Sequence, residues 1–488
     1  FICNYGDWIA MAIHEGELMK YNPGTNQLVK IDIPEANHTF VRNVACFDNE
    51  LWVGTHEGLF VVNERKNKIV HLKQDLMRPF SLSDKIIYTI YRDREGGIWL
   101  GTMFGGVDYL PHHDLLFDKY VPGSDGNSLT TKRVREIASD NKGNIWIGTE
   151  DDGVNILNIA SGKVRRLRLN DYDKGNYMVT LGMFVKGSQL FCGLFKQGLD
   201  VIQLPENKVC HYTPEELNIG EGSVYTFFID NEGYKWIGTG WGLYKAAPTS
   251  FHFDKVEEVG FDWIFDVFQD KDGMMWFASM GSGLWKYDPH KNLFKKYTHE
   301  EGKENTLSSN SVSSVMQDCK GRIWISTDRG GICCYNSQTD DFTTFSIKDG
   351  LPDDVAYKIL EDEQSNLWFG TNRGLVRFNP ESKDIRVYTT KDGLLGNQFN
   401  YKSALKGEDG KFYFGGIDGL IAFDPNSSEK INFLPPVYIS KFSIYNQEIT
   451  VHTPNSPLKK CIEHTDEIIL PYDQANISFD VALLSYST

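Results

Sequence analysis

Apolar and polar positions alternate along this chain in short bursts. In the stretch from Val312 to Asp341, VSSVMQDCKGRIWISTDRGGICCYNSQTDD, an apolar run from Val312 to Met316 ends in Asp318-Cys-Lys-Gly321. A second short run surrounds Trp324, and a turn follows at Gly330-Gly331. A third run spans Ile332 to Tyr335, and Phe342 to Ile347 supplies a fourth. Bursts of this length with tight turns between them predict four antiparallel strands in one meander. So small a sheet cannot bury both of its faces alone, so the pattern predicts copies of itself as neighbours.

Ten copies are readable. Each has an aromatic, then x-Gly-Thr or a small-residue variant, then a turn and a Gly followed by an apolar residue. They centre on Trp8 (degenerate), Trp52, Trp99, Trp146, Phe191, Trp236, Trp276, Trp324, Trp368 and Tyr413, spaced between 40 and 48 residues apart. Four strands at this period predict β-propeller blades. The aromatic would fill the wedge between blades, and the small residues after it would let backbones approach closely. Asp-x-x-Gly turns such as Asp270 to Gly273 would end first strands, with Asp capping the turn and Gly taking the left-handed position.

Propellers usually have about 4–8 blades, so ten copies divide. After Asp424-Pro425 the pattern changes to longer alternating runs, such as Val437 to Tyr445 and Asn476 to Leu484, which predict the first strands of a β-sandwich. The expected fold is all-β: residues 1–111 as the last three blades of one propeller, 112–425 as a seven-bladed propeller, and 426–488 as a linker and the start of a β-sandwich. Three blades cannot close a ring and the sandwich strands are too few, so sequence is expected beyond both ends.

Composition narrows the function classes. The 488 residues include 45 Gly, 11 Trp and 23 Tyr, which suits strands and tight turns. A net charge of −16 means that a nucleic-acid or anionic-membrane role would need a local basic surface. No apolar run of about 18 residues is present, so nothing reads as a membrane-spanning helix. The eight Cys are scattered with no CxxC pair, which speaks against a zinc knuckle. Neither a metal nor a cofactor is expected.

Several ordered stretches resemble the regulator-propeller repeats of bacterial hybrid two-component sensors of gut Bacteroidetes. They are Asn127-Ser-Leu129 leading to Gly143-Asn-Ile-Trp-Ile-Gly-Thr149, Asp349-Gly-Leu-Pro352 leading to Tyr357-Lys-Ile-Leu-Glu-Asp362, and Lys391-Asp-Gly-Leu394 followed by Asn397-Gln-Phe-Asn-Tyr-Lys-Ser403. Phe414-Gly-Gly-Ile-Asp-Gly419 and Phe423-Asp-Pro425 follow. Leu434-Pro-Pro-Val437 and Leu484-Ser-Tyr486 are similar to the beginning of that family's three-tyrosine immunoglobulin-like domain, so the resemblance implies that the sandwich at 426–488 is immunoglobulin-like. The resemblance implies a periplasmic region, tethered to the inner membrane in the full-length protein, that senses oligosaccharides from glycan breakdown. It also implies a homodimer through the sandwich that passes the signal to a histidine kinase controlling polysaccharide-utilisation genes. The region itself would be non-catalytic and would not bind nucleic acid directly.

Binding residues are expected where loops vary on a rigid ring. The loop between second and third strands and the start of the first strand share one face of the disc. Loop candidates are Phe195, Lys196, Trp241, Arg329 and Arg373. Candidates at the starts of first strands are Arg133, Arg135, Tyr177, Tyr225, Trp263 and Asn310. Trp241 stands out because Trp236 already supplies the blade core; it would stack on a sugar face or pack on a neighbouring blade. Arg133, Arg329 and Arg373 would together meet a uronate or sulfate, or form surface salt bridges. Asp151-Asp152 reads as a metal pair or as a solvated acidic turn. No GxSxG, HExxH or P-loop is present. Two competing readings remain: a carbohydrate-active enzyme, which requires a carboxylate pair with a raised pKa, and a protein-interaction scaffold.

Overall fold

The computed structural model describes the chain except residues 14–16, 34–38, 67, 77, 79, 112–116, 124–126, 168–178, 205, 428–436, 473, 475 and 484–488. Leu434-Pro-Pro436, Leu484-Ser-Tyr486 and the candidate Tyr177 lie outside the described residues. The chain divides into two compact units, Leu115–Ser427 and Phe1–Asp114 with Ser428–Thr488.

The unit Leu115–Ser427 is a seven-bladed β-propeller. Blade 1 runs from Val134 to Arg166, blade 2 from Thr180 to Tyr212, blade 3 from Thr226 to Lys255 and blade 4 from Ile264 to Tyr297. Blade 5 runs from Val312 to Phe345 and blade 6 from Ile359 to Tyr388. Blade 7 takes Phe399–Lys406, Phe412–Gly416 and Leu420–Phe423 from the end of the unit, and its outermost strand, Asp118–Tyr120, from the beginning. That strand pairs antiparallel with the last one, Asp118 opposite Ala422 and Tyr120 opposite Leu420. The ring is therefore closed by backbone hydrogen bonds between its two ends.

The period of the repeat has a side-chain cause beyond the turn. In blade 5 the Asp318 carboxylate accepts the backbone N–H of Lys320 (3.0 Å) and Arg322 (2.8 Å) at one oxygen. At the other it accepts the Trp324 indole N–H (2.9 Å) and Arg322 Nε (2.6 Å). The same six-residue offset joins Asp230 to Trp236, Asp270 to Trp276 and Asp362 to Trp368, each at 2.8 Å, and Asp140 to Trp146 at 3.3 Å. The turn aspartate thus also satisfies the donor of a buried indole, which would otherwise carry a desolvation cost of about 1–3 kcal/mol. Trp52 shows the converse: Cys46 stands six residues before it, and its buried Nε1 has no acceptor among the described residues. Each aromatic then packs into the next blade, as Trp276 does against Tyr335 with ring centroids 5.1 Å apart.

A second polar knot spans blades 4 and 5. Asp340 accepts from the hydroxyls of Tyr297 (2.6 Å) and Tyr335 (2.7 Å) and is paired with Lys295. Burial would raise the Asp340 carboxyl, but these partners outweigh it and hold it at about 2 against an ordinary 3.8. A carboxyl with a depressed folded value stabilises the fold above its unfolded value, and the contribution is lost as pH falls toward the folded one. Burial pushes Tyr335 the other way, up to about 12, so its contribution is present below its ordinary 10.0 and lost above 12. Asp340→Asn is expected to flatten the acid limb of stability between pH 4 and 2, measured as the urea midpoint against pH. An unchanged limb would show that Asp340 is not a source of it.

In the other unit, Ile2–Lys30 and Val41–Leu72 each form a four-stranded meander, and Ile87–Leu110 forms a three-stranded one. Beyond residue 436, Val437–Ile444 pairs antiparallel with Ile477–Leu483 and with Gln447–Glu448. The connection between these strands buries Leu458 against Phe442 and Ile444, the beginning of a sandwich core.

Candidate functional site

Each first strand starts on the face that carries the turns between second and third strands, because the two are antiparallel neighbours. The first strand of blade 7 departs from this regularity. Its register against the second strand jumps from Phe399 opposite Gly416 to Ala404 opposite Phe414, so Asn400 to Ser403 bulge out of the ladder. The freed residues meet other blades. The Tyr401 carbonyl accepts the Lys358 N–H of blade 6 at 3.0 Å, and Lys402 pairs in parallel with Glu136 of blade 1. The Lys402 ammonium lies 3.1 Å from the Glu136 carboxylate, with both side chains only 5% exposed. It also donates to the Tyr225 carbonyl of blade 3 and sits 5.3 Å from the Phe265 ring centre. One lysine therefore ties blades 1, 3, 4 and 7 together at the hub.

A row of aromatic rings lies beside this ion pair. Tyr225 and Trp263, immediately before the first strands of blades 3 and 4, have ring centres 5.0 Å apart. Phe265 lies 6.1 Å from each of them and 5.5 Å from Tyr401, which lies 5.0 Å from Tyr357 of blade 6. Most of these rings meet edge to face, the favoured arrangement for aromatic pairs. Phe265 and Tyr357 are buried, Tyr225 and Tyr401 half-buried, and Trp263 is 36% exposed at the rim. Burial raises the Tyr401 hydroxyl and Asp328 adds to this, while Arg135 and Arg329 offset it. Burial likewise raises Tyr225, with Glu221 adding and Arg135 offsetting. Four candidates from the sequence, Arg135, Tyr225, Trp263 and Arg329, therefore surround one place.

The remaining candidates are distributed around it. Trp241, 56% exposed, follows Gly240, whose N–H donates to Glu221 at 2.8 Å, so its turn borders the Tyr225 side of the row. The turn with Phe195 and Lys196 is anchored to the Ser223 hydroxyl at 3.1 Å, and the Lys196 ammonium lies 5.2 Å from the Phe195 ring centre. Arg133 is 3.8 Å from Glu150, the surface salt bridge weighed above, and Arg135 is 3.0 Å from the same carboxylate. Asp152 of the acidic turn pairs with Arg166 at 2.6 Å. Asn310 works as scaffold: its carbonyl accepts from Gly281 (3.0 Å) and Gly283 (2.7 Å), and its side-chain oxygen accepts the His299 N–H at 2.7 Å. Arg329 and Arg373 are exposed in equivalent turns of blades 5 and 6, and neither has a carboxylate within ion-pair distance among the described residues.

Sequence reasoning missed Tyr401, Lys402, Glu136, Phe265 and Tyr357 as site residues. Tyr401 and Lys402 lie inside Asn397–Ser403, and Tyr357 opens Tyr357–Asp362, stretches that carry the family resemblance, but the bulge that brings Lys402 to the hub leaves no local signature. Two mouth carboxylates are already engaged, Glu150 by two arginines and Asp262 by the Trp285 indole (2.9 Å) and Lys296 (2.7 Å), while Asp328 adds its negative charge beside Tyr401 and Tyr357. The arrangement can stack on flat apolar faces and donate hydrogen bonds to anions and hydroxyls.

Comparison with known proteins accords with this architecture. The two-component regulator propeller family matches residues 81–104, 128–151 and 350–373, one segment in the first unit and two in the second. The extracellular domain of a putative hybrid two-component system from B. thetaiotaomicron superposes with a TM-score of 0.77 at 22% identity, covering 99% of this chain and 63% of that one. The extracellular domain of a putative one-component system from the same organism gives 0.51 at 21% identity, covering 99% and 64%. A histidine kinase of Formosa agariphila is 27% identical over 269 residues, which is 45% of this chain and 19% of that protein. The chain therefore spans less than two thirds of these relatives. No helix among the described residues is long and apolar enough to cross a membrane.

Proposed function

Starting from a chain that carries two-component regulator propeller repeats, we propose that it is the ligand-sensing, extracytoplasmic region of a hybrid two-component sensor. The ligand is an oligosaccharide released by glycan breakdown. The response runs through a homodimer of the downstream sandwich to an inner-membrane-tethered histidine kinase that controls polysaccharide-utilisation genes. The region lies in the periplasm and performs no catalysis itself. The observation that carries the reading is the aromatic row Tyr225–Trp263–Phe265–Tyr401–Tyr357 at the hub of the ring, bordered by Arg135 and Arg329. Exposed rings stack on the apolar faces of sugars, and guanidiniums hydrogen-bond their oxygens.

Calorimetric titration of the purified chain with oligosaccharides tests it. Trp241→Ala is expected to weaken binding by about 3- to 10-fold, the loss of one stacking partner. Unchanged affinity removes Trp241 from the site. Turnover of a glycan by the purified chain would instead establish the carbohydrate-active enzyme.

A further inference from the structure

Arg329 and Arg373 occupy matching places in adjacent blades. The turns read Thr327-Asp-Arg-Gly330 and Thr371-Asn-Arg-Gly374, and each threonine hydroxyl donates to the carbonyl of the glycine that opens the third strand, Gly331 at 2.8 Å and Gly374 at 2.8 Å. Both turns border the same pair of rings. The Thr327 carbonyl accepts the Ala356 N–H at 2.9 Å, directly before Tyr357. The Tyr357 hydroxyl donates to Asn372 at 2.7 Å, directly before Arg373. Arg329 bears on Tyr401, which lies 5.0 Å from Tyr357. In a chain with 66 acidic against 50 basic side chains, surface arginines readily find carboxylates. Arg133, Arg135, Arg166 and Arg322 all do so, whereas Arg329 and Arg373 have none among the described residues. Two guanidiniums without an ion-pair partner among the described residues, in turns that border one aromatic pair, are an arrangement suited to an anion on a flat, partly apolar molecule, with Asp328 and Asp353 as the negative charges it must compete with.

Building on the saccharide reading above, we propose that the sector formed by blades 5 and 6 binds an acidic saccharide, its carboxylate or sulfate held between Arg329 and Arg373 and its ring over Tyr357 and Tyr401. The guanidinium fork matches either anion through paired hydrogen bonds. Neutral sugars of the same size lack the group that these two arginines would hold.

Titrate the full chain by calorimetry with four probes: a disaccharide ending in glucuronate, a sulfated disaccharide, cellobiose as the neutral control and sodium sulfate. The uronate or the sulfated disaccharide is expected to bind at least about 10-fold more tightly than cellobiose or sulfate alone, and which of the two binds identifies the anion. Arg329→Met and Arg373→Met are each expected to lower that affinity by about 10-fold or more, the loss of one charge-assisted bond. Arg165→Met, on an exposed position of blade 1, is expected to leave it unchanged. Cellobiose binding as well as the acidic sugars, indifferent to both arginines but weakened by Tyr401→Ala, would overturn the anion assignment and leave the saccharide reading standing. Sulfate binding as tightly as the sulfated disaccharide would reduce the site to a simple anion site and overturn the proposal. Absence of binding by every probe would overturn both readings together.

Discussion

Lys402→Ala is expected to lower the unfolding free energy of the seven-bladed unit by about 3–5 kcal/mol, because it abandons the Glu136 carboxylate in a buried place. Both partners are 5% exposed, so water cannot replace the ammonium without opening the hub. The substitution also removes a donor from the Tyr225 carbonyl and a cation from the face of Phe265. It therefore loosens the aromatic row along with the ring. The double change Lys402→Met with Glu136→Leu should restore most of the loss, since exchanging a buried pair for packed apolar groups is often close to neutral. Guanidinium unfolding followed by tryptophan fluorescence measures both. A single-variant loss below about 1 kcal/mol, the range of exposed pairs, would show that the hub is wet in solution.

Phe117→Ala is expected to cost about 3–5 kcal/mol, the usual range for truncating a buried aromatic. Phe117 is 2% exposed and packs edge-on against Phe423 (5.1 Å) and Tyr388 (6.0 Å). It immediately precedes Asp118–Tyr120, the strand that closes blade 7. Its loss weakens the latch as well as the core. Hydrogen exchange should therefore show protection falling first at 118–120 and 420–423, ahead of blades 2 to 5. Uniform loss across all blades would mean that closure is not the weak point of the ring.

The two predictions concern residues that the repeat does not announce, and this marks where sequence reading ran out. The blades were legible because each is a local unit. Burst length, Asp-x-x-Gly turns and the aromatic with its small residues all lie within about 45 residues. Even so, the Asp318–Trp324 bond was read as two separate features, a turn cap and a wedge. Only the folded hairpin brings a turn carboxylate onto an indole six residues away. Among site candidates, Arg135, Tyr225, Trp263 and Arg329 fall beside one aromatic row because position in the repeat gives the face of the disc. Asn310 satisfied the same positional rule and is scaffold, since the rule says nothing about what a side chain is bonded to.

The sequence by itself determined an all-β chain of repeated four-stranded blades and the face on which its variable loops gather, because strand period and turn chemistry are short-range properties. Tertiary structure alone decided what meets at the axis. Lys402 lies 266 positions from Glu136 in the chain and 177 from Tyr225, and no local pattern encodes such a meeting. It follows from closing the ring with Asp118–Tyr120 and from a bulge that turns Tyr401 and Lys402 toward blades 1, 3 and 4. Tertiary structure also decided which arginines are paired: Arg133 and Arg135 meet Glu150, whereas Arg329 and Arg373 have no carboxylate within ion-pair distance among the described residues.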